Sequence, residues 1–293
     1  MTKTPLQALT KLTKSRKPSP SSRALTTPQL SLPLWPEAVR GVPNAVLRGA
    51  LFGVSQNKHR PTTKKLELLA AVEGIEIRFK GERFNQDDLS LWEAMLHLAR
   101  LQPLSGRVEF SANAMLRALG RYTTSRDHEH LRNAIARLRG GTVEITWTKE
   151  GMTFGGGLIA NYARDEETKR YVVTFDEKLA KLYAQGHSYI DWEQRQALGN
   201  NSLAKWLHGF YASHAKPYAY KVETLRKLCG STVANLNDFR KMLKQALSNL
   251  QTVGAVQSWE IVTGDLLHVT TKPSDSQAKH LIQKATRGRP RLK

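Results

Sequence analysis

Two stretches of the chain repeat one helical pattern of apolar positions. Residues 88–103 read DLSLWEAMLHLARLQP and residues 202–217 read SLAKWLHGFYASHAKP. At a constant offset of 114, Leu89 matches Leu203, Trp92 matches Trp206 and Pro103 matches Pro217. Spacings of three and four put Leu89, Trp92, Leu96 and Ala99 on one helix face. Leu203, Trp206, Leu207 and Phe210 share the corresponding face of the second copy, and each proline is a stop signal. The parallel continues downstream. Residues 107–110 alternate as a short strand, Ser111 is placed to cap a helix over 112–119, and Gly120 ends it. In the second copy the strand is 220–222, the helix 223–229 and the terminator Gly230. A longer helix then follows in each copy, over 125–139 and 237–253. Leu131, Ala134, Ile135 and Leu138 match Leu243, Ala246, Leu247 and Leu250 at an offset of 112. Each long helix runs into a predicted hairpin: 142–148 with 153–159 about Glu150-Gly151, and 255–262 with 266–271 about Gly264-Asp265. Upstream, the pattern predicts a helix over 39–54 and a hairpin of 65–72 with 75–79 around Glu73-Gly74.

Helix, strand, short helix, turn, long helix and hairpin is the element order of a winged helix-turn-helix, and the chain carries it twice. The expected fold class is α+β, two tandem winged-helix (winged helix-turn-helix) domains with disordered basic tails. The boundaries read from the chain are a basic tail over 1–28, a short apolar peptide over 29–36 and an N-terminal domain over 37–190 whose lead-in is 37–70. A C-terminal domain over 191–272 and a second basic tail over 273–293 complete the order.

Charge sharpens this picture. The chain has 45 Lys+Arg against 25 Asp+Glu in 293 residues, a formal net charge of +20. Residues 1–27 hold six Lys/Arg and no acid, and residues 272–293 hold seven against one, so the body between them remains at +8. Such a field favours a polyanion, because each phosphate neutralised by Lys or Arg releases condensed counterions. The single cysteine, Cys229, excludes a disulfide framework and a cysteine-based zinc cluster. No apolar run reaches the roughly 20 residues that span a bilayer, and no signal-peptide apolar region follows the basic N-terminus. A cytoplasmic protein without a membrane partner is expected.

In a helix-turn-helix the second helix enters the major groove, so the residues opposite its buried face are the candidate DNA contacts. In the first copy these are Arg126, His128, Arg132 and Asn133, preceded by Thr123 and Thr124. In the second they are Asn237, Arg240, Lys241, Lys244 and Gln245, with Asn235 just upstream. Arg can pair with guanine O6 and N7, Asn and Gln with adenine, and Lys or Thr can hold phosphate. The second face is the more cationic, so the C-terminal module is expected to supply most base-specific contacts. In each case a solvated helix face is the competing reading. Lys149 in the first predicted wing and Lys272 at the end of the second are placed to reach phosphate.

Nothing in the chain reads as catalysis, a metal site or a cofactor site. Phe154-Gly155-Gly156-Gly157 lacks the Lys-Ser/Thr of a phosphate-binding loop, and its glycines read as a bulge or bend. His128-Glu129-His130 lies at a predicted helix start, where residues two apart point about 200° from one another and cannot share an ion. Two tail motifs remain. Arg287-Gly288-Arg289-Pro290-Arg291 resembles the core of an AT-hook, with Arg287, Arg289 and Arg291 suited to a narrow A·T minor groove; an electrostatic tail explains the same residues. Gln29-Leu30-Ser31-Leu32-Pro33-Leu34 resembles peptides that bind the bacterial sliding clamp, with Gln29 at a pocket rim and Leu30, Leu32 and Leu34 inside it. The alternative is that these leucines and Trp35 pack on the protein's own surface.

With these elements the sequence resembles the TrfA replication initiators of IncP-type plasmids. The resemblance covers nearly the whole chain. It is most specific in QLSLPLWPEAVRGVPNAVLRGALFGV (29–54) and VEGIEIRFKGERFNQDDL (72–89). It implies a protein that binds iteron repeats at a plasmid origin through two winged-helix domains and promotes opening of the adjacent AT-rich region; the chain's own basic surface is the expected holder of the single-stranded AT-rich DNA so exposed. It further implies as partners the host replicative helicase DnaB, the host initiator DnaA, the DNA polymerase III sliding clamp and a second copy in a dimer–monomer equilibrium. The AT-hook-like tail is not attributed to the family. A winged-helix transcriptional repressor is the alternative, and such a protein would not require the clamp-like peptide.

Overall fold

The computed structural model describes residues 32–56, 60–101, 106–274, 277–278 and 282. Its first half opens with β1 (Val39–Pro43), α1 (Asn44–Leu47) and β2 (Phe52–Gly53). Then come β3 (Thr62–Leu69), β4 (Ile75–Glu82), β5 (Phe84–Asn85) and α2 (Gln86–Ala99). The first copy of the repeat continues with β6 (Arg107–Ser111), α3 (Ala112–Ala118) and α4 (Ser125–Gly140). After it lie β7 (Thr142–Trp147), β8 (Met152–Gly156), β9 (Asn161–Arg164), β10 (Arg170–Thr174), α5 (Leu179–Ala184) and β11 (His187–Asp191). The second half comprises α6 (Trp192–Ala197), α7 (Ser202–Ala212), β12 (Tyr220–Lys221), α8 (Val222–Leu228), α9 (Leu236–Thr252), β13 (Ser258–Val262) and β14 (Leu266–Thr270). One apolar cluster gathers residues between Leu32 and Ile190, and a second gathers residues between Leu198 and Leu267. The fold is mixed α and β.

The repeated residues do the same physical work in both copies. Trp92 and Trp206 are buried, and each indole N–H donates to a backbone carbonyl, Leu158 at 3.2 Å and Gly49 at 3.1 Å. Those bonds satisfy the one polar group that a buried tryptophan carries. The short helices end alike. Gly120 (φ +67°) and Gly230 (φ +62°) take the left-handed conformation. The following amides, Arg121 and Ser231, donate to Leu116 and Arg226 carbonyls at 2.9 and 3.1 Å, closing each helix as a Schellman turn. Leu131, Ile135 and Leu138 on α4, and Phe239, Leu243, Ala246, Leu247 and Leu250 on α9, face inward. Burial of each larger side chain in the α9 set contributes about 1.5–3 kcal/mol.

Sheet topology repeats as well. The strand before each helix pair joins the later strand of a hairpin, giving the orders β6-β10-β9 and β12-β14-β13, all antiparallel. This corrects the predicted first wing. The hairpin of 142–159 does not lie beside β6; β7 and β8 complete a four-stranded sheet β3-β4-β7-β8, and β9–β10 pair with β6 instead. The reason is apolar complementarity. Val143, Ile145 and Phe154 are buried, and Ile145 sits in register with the buried Ile77 while Val143 sits opposite Phe79. Residues 39–54 are a second correction, since they form β1, α1 and β2 in place of one helix. β1 pairs antiparallel with β11, Val39 opposite Asp191. Its residues 40–43 are all buried, a pattern of enclosure on every side that helical spacing does not distinguish.

The halves are packed together through named contacts. Adding a Cβ to Gly209 on α7 would bring it to 2.8 Å from Leu47 on α1, so glycine permits the close approach. The Val54 amide donates to the Cys229 carbonyl at 3.0 Å. Arg195 on α6 and Glu93 on α2, both buried, lie 2.7 Å apart as an ion pair. No helix among the described residues is long and apolar enough to cross a membrane.

Candidate nucleic-acid interface

The outward faces of α4 and α9 carry the residues expected from the sequence, with different degrees of freedom. On α4, Arg126, Arg132 and Asn133 are exposed, and neither arginine has a salt bridge among the described residues. Thr124 is the N-cap, accepting the Asp127 amide at 3.2 Å, and its hydroxyl donates to the Asp127 carboxylate. That bond holds the Asp127 carboxyl below the usual carboxylate range. A capping role therefore already occupies Thr124. His128 lies 2.9 Å from Asn113 on α3, tying the two helices together. Thr123 is exposed. Arg137, one turn short of the C-terminus of α4, is turned inward and pairs with the buried Asp88 at 2.9 Å and with Glu82 at 3.0 Å.

On α9, Asn235 is the N-cap and accepts the Asn237 amide at 2.8 Å. Lys241, Lys244 and Gln245 are exposed. Lys241 lies 3.5 Å from Asp238 in a solvent-exposed i,i+3 pair, and Lys244 makes no salt bridge among the described residues. Surface pairs of this kind contribute little stability, so both ammonium groups are available to a polyanion. Arg240 differs. Its Nε donates to Asp265 Oδ1 at 2.9 Å, its Nη2 to Asp265 Oδ2, and its Nη1 to Asn237 Oδ1. Asp265 sits in the β13–β14 turn with φ +60°. The sequence marked Asp265 only as a turn residue; the signal that could have found it is an acid in the wing turn facing a helix that is otherwise basic.

The hairpin predicted as the first wing also presents a different surface from the one expected. Lys149 lies in the β7–β8 turn and lines a cleft of about 1000 Å³ with Arg48, His214 and Lys216, between the two halves. The hairpin beside β6 ends instead in Arg164, Glu166 and Lys169, where Arg164 and Lys169 both pair with Glu166, at 3.1 and 3.5 Å. Lys272 is exposed just past β14.

The clamp-like peptide is divided by the boundary of the described residues. Gln29 and Leu30 lie outside them, as do Arg287, Arg289 and Arg291 of the AT-hook-like tail. Leu32 is 9% exposed and belongs to the first apolar cluster, whereas Leu34 is 77% exposed. Trp35 anchors the segment. Its ring stacks on Tyr183, its Nε1 donates to His97 Nδ1 at 3.0 Å, and Arg100 Nε donates to its carbonyl at 3.0 Å. Glu37 completes the latch by pairing with His97 at 2.9 Å and Arg100 at 2.7 Å.

Comparison with known proteins places this architecture. A family model described as TrfA protein matches residues 8–271. The plasmid replication initiator protein TrfA of Escherichia coli is 26% identical over 241 residues, which are 80% of this chain and 62% of that relative. The chain thus spans less than two thirds of that relative's length. Two crystal structures of domains 2 and 3 of RctB align with 78% of this chain and with 98% and 97% of theirs. Their TM-scores are 0.53 and 0.51 at 11% identity, a likeness of fold.

Proposed function

The chain belongs to the TrfA family, and on that premise we propose that it initiates plasmid replication by binding iteron repeats with two tandem winged-helix domains. The observation that carries this reading is the duplicated order of strand, short helix, glycine-ended turn, long helix and pairing hairpin, with the long helix of the second copy exposing Lys241, Lys244 and Gln245. Domain limits of 37–190 and 191–272 belong to this reading, and two separate apolar clusters, one largely from each stretch, support it. Family membership favours an initiator over a repressor with the same modules.

In this mechanism several copies bind in phase along one face of the iteron array. The bending strain then favours strand separation where stacking is weakest, in the adjoining A+T-rich segment, without nucleotide hydrolysis by this chain. Thr124, Arg126, His128, Arg132 and Asn133 serve the first module's contact with duplex DNA, and Asn235, Asn237, Arg240, Lys241, Lys244 and Gln245 the second's. Host DnaB and DnaA, and a second copy of the chain, are the partners that the family implies, and the opened AT-rich strand is a further ligand.

If about ten phosphates are neutralised, log affinity falls with log salt at a slope near −9. Footprinting on a cognate origin, combined with affinity measured from 50 to 200 mM salt, tests the reading. A loss of about 10⁵ in affinity across that range is expected, and a flat response removes the DNA assignment.

The peptide around Gln29 is assigned to the sliding clamp, with Gln29, Leu30 and Leu34 presented to it. Leu32, packed in the protein's own core, either withdraws to join them or acts as the tether that fixes the others. Changing Gln29 and Leu34 together to alanine is expected to lower clamp capture at least tenfold while leaving duplex binding and the melting temperature unchanged. Undiminished capture by that variant counts against the peptide reading.

A further inference from the structure

Arg240 carries five N–H donors, and the structure accounts for three of them. Nε and Nη2 engage the two carboxylate oxygens of Asp265, and Nη1 engages Asn237 Oδ1. One hydrogen remains on each terminal nitrogen. Two such hydrogens on one planar group can meet a pair of adjacent acceptors such as guanine O6 and N7 when Asn237 takes the outer hydrogen of Nη1. A guanidinium held on two sides cannot swing to follow a phosphate, and paired with a carboxylate it contributes little net charge to the face around it.

Asp265 is itself fixed from three directions. Its backbone occupies the left-handed turn of the wing at φ +60°, a conformation that among side-chain-bearing residues suits Asp and Asn. Its carbonyl accepts the amide of Val222, the first residue of α8, at 2.9 Å. Its side chain holds α9. The residue therefore joins wing, first helix and second helix of the module at one point. The hydrogen bonds from Arg240, with its charge and that of Lys244, hold the Asp265 carboxyl below the usual carboxylate range, so the pair stays ionised at neutral pH.

We infer that Asp265 is a positioning residue for DNA recognition: it orients Arg240 to read one base pair and withholds the arginine's charge from the phosphate backbone. This inference rests on the assignment of α9 as a DNA-reading helix. Lys241 and Lys244 then supply sequence-independent attraction, while the Arg240–Asp265 pair supplies discrimination.

The test uses the full chain. Duplexes are selected from a randomised library with the wild-type protein, and affinities for the selected duplex and a scrambled one are then measured against salt. Asp265→Asn keeps a residue that tolerates the turn and keeps the carbonyl that accepts from Val222. It is expected to tighten scrambled-duplex binding up to about eightfold at 0.1 M salt, by freeing one cation for phosphate. The ratio of selected to scrambled affinity should fall about tenfold, and the salt slope should steepen by about one. Arg240→Ala should lower the ratio by a similar factor without steepening the slope, and Asp265→Asn should add nothing to the ratio in that background. An Asp265→Asn protein with wild-type ratio and slope overturns the inference. So does one that weakens both duplexes equally with a lowered melting temperature, which marks a purely structural role. A wild-type chain that enriches no motif overturns the inference together with the α9 assignment.

Discussion

Replacing Glu93 with alanine is expected to destabilise the protein by about 3–5 kcal/mol, because it leaves Arg195 as an uncompensated buried charge. The two side chains are 0% and 1% exposed and 2.7 Å apart. Arg195 Nη1 also donates to the Lys205 carbonyl on α7 at 3.1 Å, and Nη2 to Gln86 Oε1 on α2 at 3.2 Å. Its guanidinium therefore connects both halves. Burial pushes the Glu93 carboxyl up, and the charges of Arg195 and Arg40 oppose that shift. Arg195 Nε lies against Glu93 Oε2, so the two buried charges compensate each other directly. Such a pair is poorly tolerant of losing one member, yet replacement of both by apolar residues of similar volume is often neutral or stabilising. Urea denaturation should accordingly show a large fall in the midpoint for Glu93→Ala and recovery of most of it for Glu93→Leu combined with Arg195→Met. A loss below about 1 kcal/mol for the single variant would mean that the arginine finds another counter-charge or reaches water.

Reversing the two exposed lysines of α9 should have the largest effect on DNA binding. Counterion release makes each phosphate contact worth roughly eightfold in affinity at 0.1 M salt, so loss of two costs about sixtyfold. Lys241→Glu with Lys244→Glu adds repulsion to that loss. The expected result is binding weakened by more than about sixtyfold and a salt slope shallower by about two, with an unchanged melting temperature because both side chains are exposed. The matching change on α4, Arg126→Glu with Arg132→Glu, tests the division of labour between modules. If it weakens selected and scrambled duplexes alike, the first module positions the protein without reading sequence. If the α9 reversal leaves binding intact while the α4 reversal abolishes it, the assignment of the principal DNA face to the second module is wrong.

Particular residues show how much of this was readable in advance. The helices over Leu131, Ile135 and Leu138, and over Leu243, Leu247 and Leu250, follow from a periodicity that extends over a few turns and needs no distant partner. Ser111 and the terminal glycines at 120 and 230 act within their own turn, and the structure uses them at the positions expected. The strand over 75–79 also emerges, lengthened to β4. The helix expected over 39–54 fails because β1 is defined by its partner β11, about 150 residues away along the chain, and no local pattern carries that pairing. The first wing fails for a related reason. Two hairpins compete for the edge of β6, and the choice depends on which one has a better apolar partner elsewhere.

At the site, residue types and helix faces were legible, but their engagements were not. Arg126, Arg132, Lys241 and Lys244 point outward as helical geometry requires. Asn235 and Thr124, read from the sequence as candidate DNA contacts, also cap their helices, and Arg240 acquires a carboxylate from a turn 25 residues downstream. Leu32 is drawn into the core while Leu34, two positions on, stays in water. Periodic burial, capping and charge are properties of neighbours along the chain, and so the amino-acid order alone determined the duplicated helix pairs and their cationic outer faces. Which strands pair, which ions are shielded and how the halves join depend on groups brought together from far along the chain; only folding, by weighing competing burials and desolvation costs, decided them.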